Sequence, residues 1–108
     1  MIRAKAFTRS DNLIGFEISG HSGYADEGED IVCAAVSSCA YMVVNTLTDV
    51  LNIDLDIELE DGFMTFLTKT NEDAVTAQVI LKGLLIHLEQ LSLQYPDNVK
   101  LETTEVKQ

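Results

Sequence analysis

The spacing of apolar and polar residues divides the chain into five alternating segments and two longer apolar ones. Alternation with a period of two is typical of strands that have one covered face. It is strictest at residues 53–60, where Ile53, Leu55, Ile57 and Leu59 share one face and acids occupy the other. The dipeptide at 61–62, Asp-Gly, suits a tight primed hairpin turn. The predicted strands are residues 2–9, 13–19, 53–60, 63–69 and 98–106.

The two longer apolar segments predict helices. The first covers residues 31–51 and carries no charge before Asp49, so a helix here is expected to be buried on more than one side. Asp30 precedes it as a suitable N-cap. The second covers residues 72–94, with Asn71 as the predicted cap and Pro96 as its stop.

This order, ββαββαβ, predicts an α+β fold in which two helices cover a mostly antiparallel, mixed sheet. We expect a two-layer sandwich that forms one domain over residues 1–108. The first helix joins the second strand to the third, and this crossover is expected to create one parallel pair. The second helix carries more apolar surface than one sheet face needs, so a homodimer is also expected.

Charge narrows the choice of partners. The chain has 18 acids, 7 bases and a formal net charge of −11. Such a surface repels nucleic acid and anionic lipid and attracts a basic partner. We found neither a run of 18 uncharged apolar residues nor the apolar region of a signal peptide, so the expected location is cytoplasmic.

Candidate chemistry is concentrated in residues 20–33, GHSGYADEGEDIVC, which begin and end near a histidine and a cysteine. If Asp30 is the cap, Cys33 is the third helical residue, and the positive end of the helix dipole there stabilises a thiolate. His21, across a glycine-rich loop, would act as the base, and backbone N–H groups would form an oxyanion pocket. A pair separated by this spacing also occurs by chance, so spacing alone leaves its role open.

The other polar residues near this pair have structural interpretations as well. Cys39 lies six residues after Cys33, too far along a helix for a disulfide and outside the spacing of a zinc pair, and it is expected in the core. Ser37 lies one turn after Cys33 and either faces the site or bonds back to the preceding turn. Asp26 and Asp30 are candidates to orient His21.

Residues 20–37, GHSGYADEGEDIVCAAVS, resemble the signature of the ribosomal-processing cysteine proteases, the Prp family. The resemblance implies an endopeptidase that removes a short N-terminal extension from a large-subunit ribosomal protein. No cofactor is expected, and the chain has too few soft ligands for a metal site. The resemblance implies an aromatic pair before the cut, basic residues after it, and a homodimeric enzyme. It also implies the roles of the site residues. The expected catalytic residues are His21 and Cys33. The expected substrate-binding residues are Gly20, Tyr24, Asp30 and Ser37.

Two other classes of function remain open. One is a non-catalytic dimeric module whose loop binds a basic ribosomal or assembly partner. The other is a redox sensor based on Cys33, which is disfavoured because Cys39 points elsewhere and no other resolving cysteine exists.

Overall fold

A computed structural model describes residues 1–20 and 27–107, and for residues 27–30 it describes the backbone alone. The order of elements within this part confirms the predicted ββαββαβ arrangement. A π-helical turn, Thr46–Val50, extends the first helix. The elements are β1 (Ile2–Arg9), β2 (Asn12–Ser19), α1 (Glu27–Asn45), β3 (Leu55–Glu60), β4 (Phe63–Thr68), α2 (Asn71–Gln94) and β5 (Val99–Glu105).

The described strands form one mixed sheet in the order β3-β4-β2-β1-β5. The β1–β2, β2–β4 and β3–β4 pairs are antiparallel, and β1–β5 is parallel. The prediction that the crossover through α1 creates the parallel pair is therefore wrong. The β3–β4 hairpin folds back so that β4 fills the gap between β2 and β3. The parallel pair arises instead because α2 carries the chain from β4 to β5, which then lies beside β1.

The core lies between one face of the sheet and the two helices. On β1 the side chains of Ile2, Ala4 and Ala6 point to this layer and are almost completely buried. The rings of Phe16 and Phe66 meet across β2 and β4 with centroids 6.0 Å apart. The helices contribute one buried stripe each, so the fold is the expected two-layer sandwich. These stripes are Val32, Val36, Ala40, Val43 and Leu47, and Ala74, Ala77, Leu81, Leu84, Leu88 and Leu91.

Both predicted helix caps are wrong, that of α2 by a single residue. α1 begins at Glu27, so Asp30 is its fourth residue and does not cap it. Acidic residues favour the first turn of a helix, and the sequence at 27–30, EGED, supplies three. In α2 the cap is Thr70, whose side chain accepts a hydrogen bond from the Asp73 N–H at 3.1 Å.

The first helix is less enclosed than its composition suggests. By length and composition alone, the segment Ile31–Val50 is apolar enough to span a membrane, with a mean hydropathy of 1.6. Here its buried residues share one core with residues of the sheet and α2, while Ile31, Tyr41 and Met42 remain exposed. It supplies part of the core and leaves an apolar outer face.

The two hairpin turns differ in a way that the sequence did not indicate. At Asp61-Gly62 only Gly62 has a positive φ, 76°, so the predicted primed turn is wrong although the turn has two residues. The β1–β2 turn instead has positive φ at both central residues, Ser10 (51°) and Asp11 (69°), as a type I′ turn requires.

A side chain of α2 fixes an irregularity in β2. The β1–β2 register shifts between Phe7 and Thr8, which leaves Ile14 as an extra residue in β2. Next to this bulge, Gln78 Nε2 donates to the Leu13 carbonyl at 2.6 Å, and the Leu13 N–H donates to Gln78 Oε1 at 3.1 Å. α2 is thereby tied to one end of the sheet.

Candidate active site

The candidate site begins where β2 ends, at Gly20. This residue has φ 98°, and its N–H donates to the Gly62 carbonyl at 3.1 Å. A Cβ at this position would overlap the carbonyl oxygen of Met1. Gly20 is therefore required both by its backbone conformation and by close packing. It brings the start of the motif beside the β3–β4 turn.

Part of the predicted site lies outside the described residues. This part comprises His21, Tyr24 and Asp26. Asp30 is described only as backbone, in the first turn of α1.

Cys33 lies on α1 with an intermediate exposure and packs against the hydrophobic core. It is the seventh residue of Glu27–Asn45 and not the third, as predicted. The N–H groups left without helical acceptors belong to the first four residues of a helix, and the dipole effect falls off within that turn. The N-terminus of α1 therefore stabilises a Cys33 thiolate less than the sequence suggested.

Cys39 has the surroundings of a structural thiol. Its Sγ donates to the Val36 carbonyl at 3.2 Å, and no disulfide joins it to Cys33. Burial raises the pKa of the Cys39 thiol, an effect only partly offset by backbone hydrogen bonds at Cys39 and Ala40. At neutral pH Cys39 is therefore a poor nucleophile.

A groove of about 440 Å³ runs between α1 and the β3–β4 turn. Ser37 and Tyr41 form its helix side, one and two turns after Cys33. Within the described part of the chain no hydrogen bond is found at the Ser37 hydroxyl. The remaining lining residues are Ile18, Ala40, Leu59, Glu60, Asp61, Gly62, Phe63 and Met64.

Sequence reasoning missed most of this groove. Tyr41 could have been found, because it continues the four-residue spacing of Cys33 and Ser37 along one helix side. Leu59 and Phe63 could not, because nothing local shows that the hairpin tip lies beside α1.

A second groove, of about 310 Å³, separates α1 from α2. Cys39, Met42, Gly83 and His87 are among its lining residues, and His87 is exposed on α2. In the part of the chain that the structure describes, no three His, Cys, Asp or Glu side chains lie together as metal ligands.

Comparison with known proteins identifies the family. The family model for the cysteine protease Prp matches residues 1–100. The chain belongs to this family. Among its relatives, the ribosomal processing cysteine protease Prp of Bacillus subtilis is 29% identical over 96 residues, which cover 84% of this chain and 86% of the relative. The Prp of Staphylococcus aureus is 31% identical over 87 residues, covering 78% and 80%.

The fold agrees with a solved structure of the same family. The S. aureus ribosomal processing protease Prp in complex with a covalently linked product peptide matches with a TM-score of 0.80 and 25% identity. The match covers 96% of this chain and 100% of that one. As a member of the Prp family, this protein is a cysteine protease.

Proposed function

We propose that the protein is an endopeptidase that cuts the N-terminal extension from a basic large-subunit ribosomal protein. The observation that carries the proposal is the position of Cys33, which is partly exposed on α1. It lies one helical turn before Ser37, and Ser37 lines the groove. The net charge of −11 favours encounter with a basic substrate. The covalent product complex of the S. aureus relative supports the same chemistry.

The proposed reaction is acyl transfer through Cys33. Its thiolate attacks the scissile carbonyl, and as the C–N bond breaks His21 donates a proton to the leaving amine. His21 then removes a proton from water, and the water oxygen attacks the thioester. The Cys33 thiolate leaves, and the carboxylic acid that forms loses its proton to solvent. Because Cys33 lies beyond the first turn of α1, its thiol is activated mainly by His21 in this reaction.

Substrate binding is assigned to the groove and to the motif beside it. The side chains of Tyr41, Leu59 and Phe63 provide an apolar surface that suits an aromatic residue next to the cut. The Ser37 hydroxyl is available to a peptide backbone. Gly20, Tyr24 and Asp30 are proposed as further substrate contacts on the strength of the motif.

The direct test is incubation of the reduced protein with the candidate ribosomal precursor, followed by mass spectrometry. We expect one N-terminal cut with the natural sequence and none with Cys33→Ala or Cys33→Ser. Cys39→Ser is the matched control and should cleave nearly as fast as the natural protein. Full activity of Cys33→Ala would contradict the proposal.

Thiol reactivity separates this proposal from the non-catalytic binding module. If His21 activates Cys33, iodoacetamide should alkylate Cys33 faster than an unstructured cysteine near neutral pH, and His21→Gln should remove the difference. A binding module predicts an ordinary rate in both proteins.

We further propose that the enzyme is a cytoplasmic homodimer that associates through α2. Four apolar side chains on this helix, Val75, Val79, Ile86 and Leu93, are 56–87% exposed. At about 100° per residue they lie within about 40° of one another around the helix axis. An apolar stripe of this kind is typical of an interface.

Sedimentation at micromolar concentration tests the dimer. Val79→Asp should give a monomer, whereas Thr76→Asp, an exposed change off the stripe, should not. A monomeric natural protein would contradict this part of the proposal.

A further inference from the structure

The outer edge of β3 is open for pairing. β3 is the end strand of the sheet and pairs only with β4 among the described strands. The pair that closes a two-residue hairpin is hydrogen-bonded, and here it is Glu60 and Phe63. Bonded and non-bonded pairs then alternate along the strand. The N–H and C=O groups of Ile57 and Leu59 therefore point away from β4, toward the edge.

The side chains of β3 differ between its two faces. Asp56, Glu58 and Glu60 point to the face of the sheet without helices. Ile57 and Leu59 point to the helix side, yet they are 38% and 50% exposed because the helices do not reach this far. An exposed edge strand with bare apolar side chains promotes pairing with another chain unless something covers it.

The other edge of the sheet lacks these features. On β5 the helix-side residues Val99 and Leu101 are buried or half-buried. None of the large exposed apolar side chains found in the described residues lies on this strand. The β3 edge is therefore the one suited to strand addition.

The β3 edge continues into the groove between α1 and the β3–β4 turn. Leu59 and Glu60 line this groove together with Ser37 and Tyr41. A peptide extended along β3 would thus enter the groove at its β3–β4 end. From Glu60 back to Asp56 the strand offers about 13 Å, enough for four or five extended residues.

Charge defines the kind of peptide that fits. Residues 54–61 contain five carboxylates, and the ion pair found there joins Asp54 to Lys69 at 3.0 Å. Glu58, Glu60 and Asp61 have no cationic partner among the described residues. Two copies paired through this edge would place acids against acids, which disfavours a second copy. A segment with Lys or Arg at alternate positions would pair favourably.

We propose that the free edge of β3 binds an extended basic segment of the substrate by strand addition. Its backbone pairs with Ile57 and Leu59, its Lys or Arg side chains lie over the acids, and its alternate apolar side chains contact Ile57 and Leu59. The identity of this segment as substrate rests on the proposed function. Binding of a basic peptide to β3 does not depend on cleavage, so it is tested with a protein that cannot cleave.

The experiment uses Cys33→Ala protein and the peptide Lys-Val-Lys-Val-Lys-Val-amide, which carries an uncharged fluorophore on its N-terminus. We expect binding that weakens with salt and slower hydrogen exchange at the Ile57 and Leu59 amides. Asp56→Asn with Glu58→Gln should weaken binding about three- to tenfold. The control with the same charge change, Glu102→Gln with Glu105→Gln, should not.

Two further reagents test pairing itself. A peptide with Pro in place of each Val lacks the N–H groups needed for pairing and should not bind. Ile57→Pro removes an outward-pointing N–H from the protein and should also prevent binding, with its folding checked by thermal unfolding. Equal peptide affinity in the Asp56→Asn, Glu58→Gln variant and the control variant would overturn the proposal. So would protection from hydrogen exchange at another surface instead of β3. So would loss of a dimer on Ile57→Pro, because a second copy would then occupy the edge.

Cleavage of the precursor by the natural protein is measured separately. Cleavage without peptide binding at β3 would refute the docking proposal and leave the protease function intact. Binding at β3 without cleavage would refute the protease function and leave a binding module.

Discussion

The exchange of glycine for alanine should have opposite effects at Gly20 and Gly83. Gly20 has φ 98°, and a Cβ there would overlap the Met1 carbonyl. Gly83 lies in the middle of α2 with nothing within 4 Å of the position its Cβ would take. The same added methyl group is therefore obstructed at one site and accommodated at the other.

The magnitudes follow from these two environments. A left-handed conformation costs a non-glycine residue about 1–2 kcal/mol, and forcing apart packed groups costs about 1–3 kcal/mol. Alanine lowers the entropy of the unfolded chain, which offsets about 0.4–1 kcal/mol. For Gly20→Ala the free energy of unfolding should fall by about 2 kcal/mol. For Gly83→Ala it should rise by about 0.5–1 kcal/mol, since alanine is the better helix former.

Urea unfolding and thermal melting measure both effects. At about 4–8 °C per kcal/mol, Gly20→Ala should lower the Tm by about 8–16 °C. Gly83→Ala should raise it by about 2–8 °C. Because Gly20 directly precedes His21, the destabilised variant should also cleave more slowly at temperatures where it remains folded. An unchanged Tm for Gly20→Ala would refute the assignment of both the strained φ and the contact with Met1.

Three further predictions test other parts of the fold. Replacing Ser10-Asp11 with Asn-Gly should raise the free energy of unfolding by about 1 kcal/mol, because these residues suit a type I′ turn; a lower Tm would contradict that turn type. Gln78→Ala should lower it by about 1–3 kcal/mol in urea titrations, since the part-buried N–H and C=O of Leu13 lose their partner. Values near zero would show that water replaces the amide. Because its raised pKa leaves less thiolate at a given pH, Cys39 should be alkylated more slowly than an unstructured cysteine at pH 8 and should approach its rate only at higher pH, as followed by mass spectrometry. An equal rate at pH 8 would contradict its burial.

The local pattern was sufficient to predict which segments form strands and helices. Strict alternation at residues 53–60 and the long apolar segment after residue 30 determine their own conformations, because side-chain period and backbone geometry are directly linked. The motif at residues 20–37 likewise indicates its chemistry without a structure, because it consists of particular residue types at fixed spacing. The errors at the two caps arose because several neighbouring acids and hydroxyls can cap the start of a helix.

The tertiary structure decided what lies beside what. The place of β4 between β2 and β3, and hence the identity of the parallel pair, depends on how the hairpin packs and not on any local signal. The groove of Ser37, Tyr41 and Leu59 exists because α1 crosses the sheet beside the β3–β4 turn. Ile57 and Leu59 have a buried pattern in the sequence, yet they remain exposed because the helix layer ends before it reaches the edge strand. Periodicity determines which face a side chain occupies, and only packing between distant segments determines whether that face is covered.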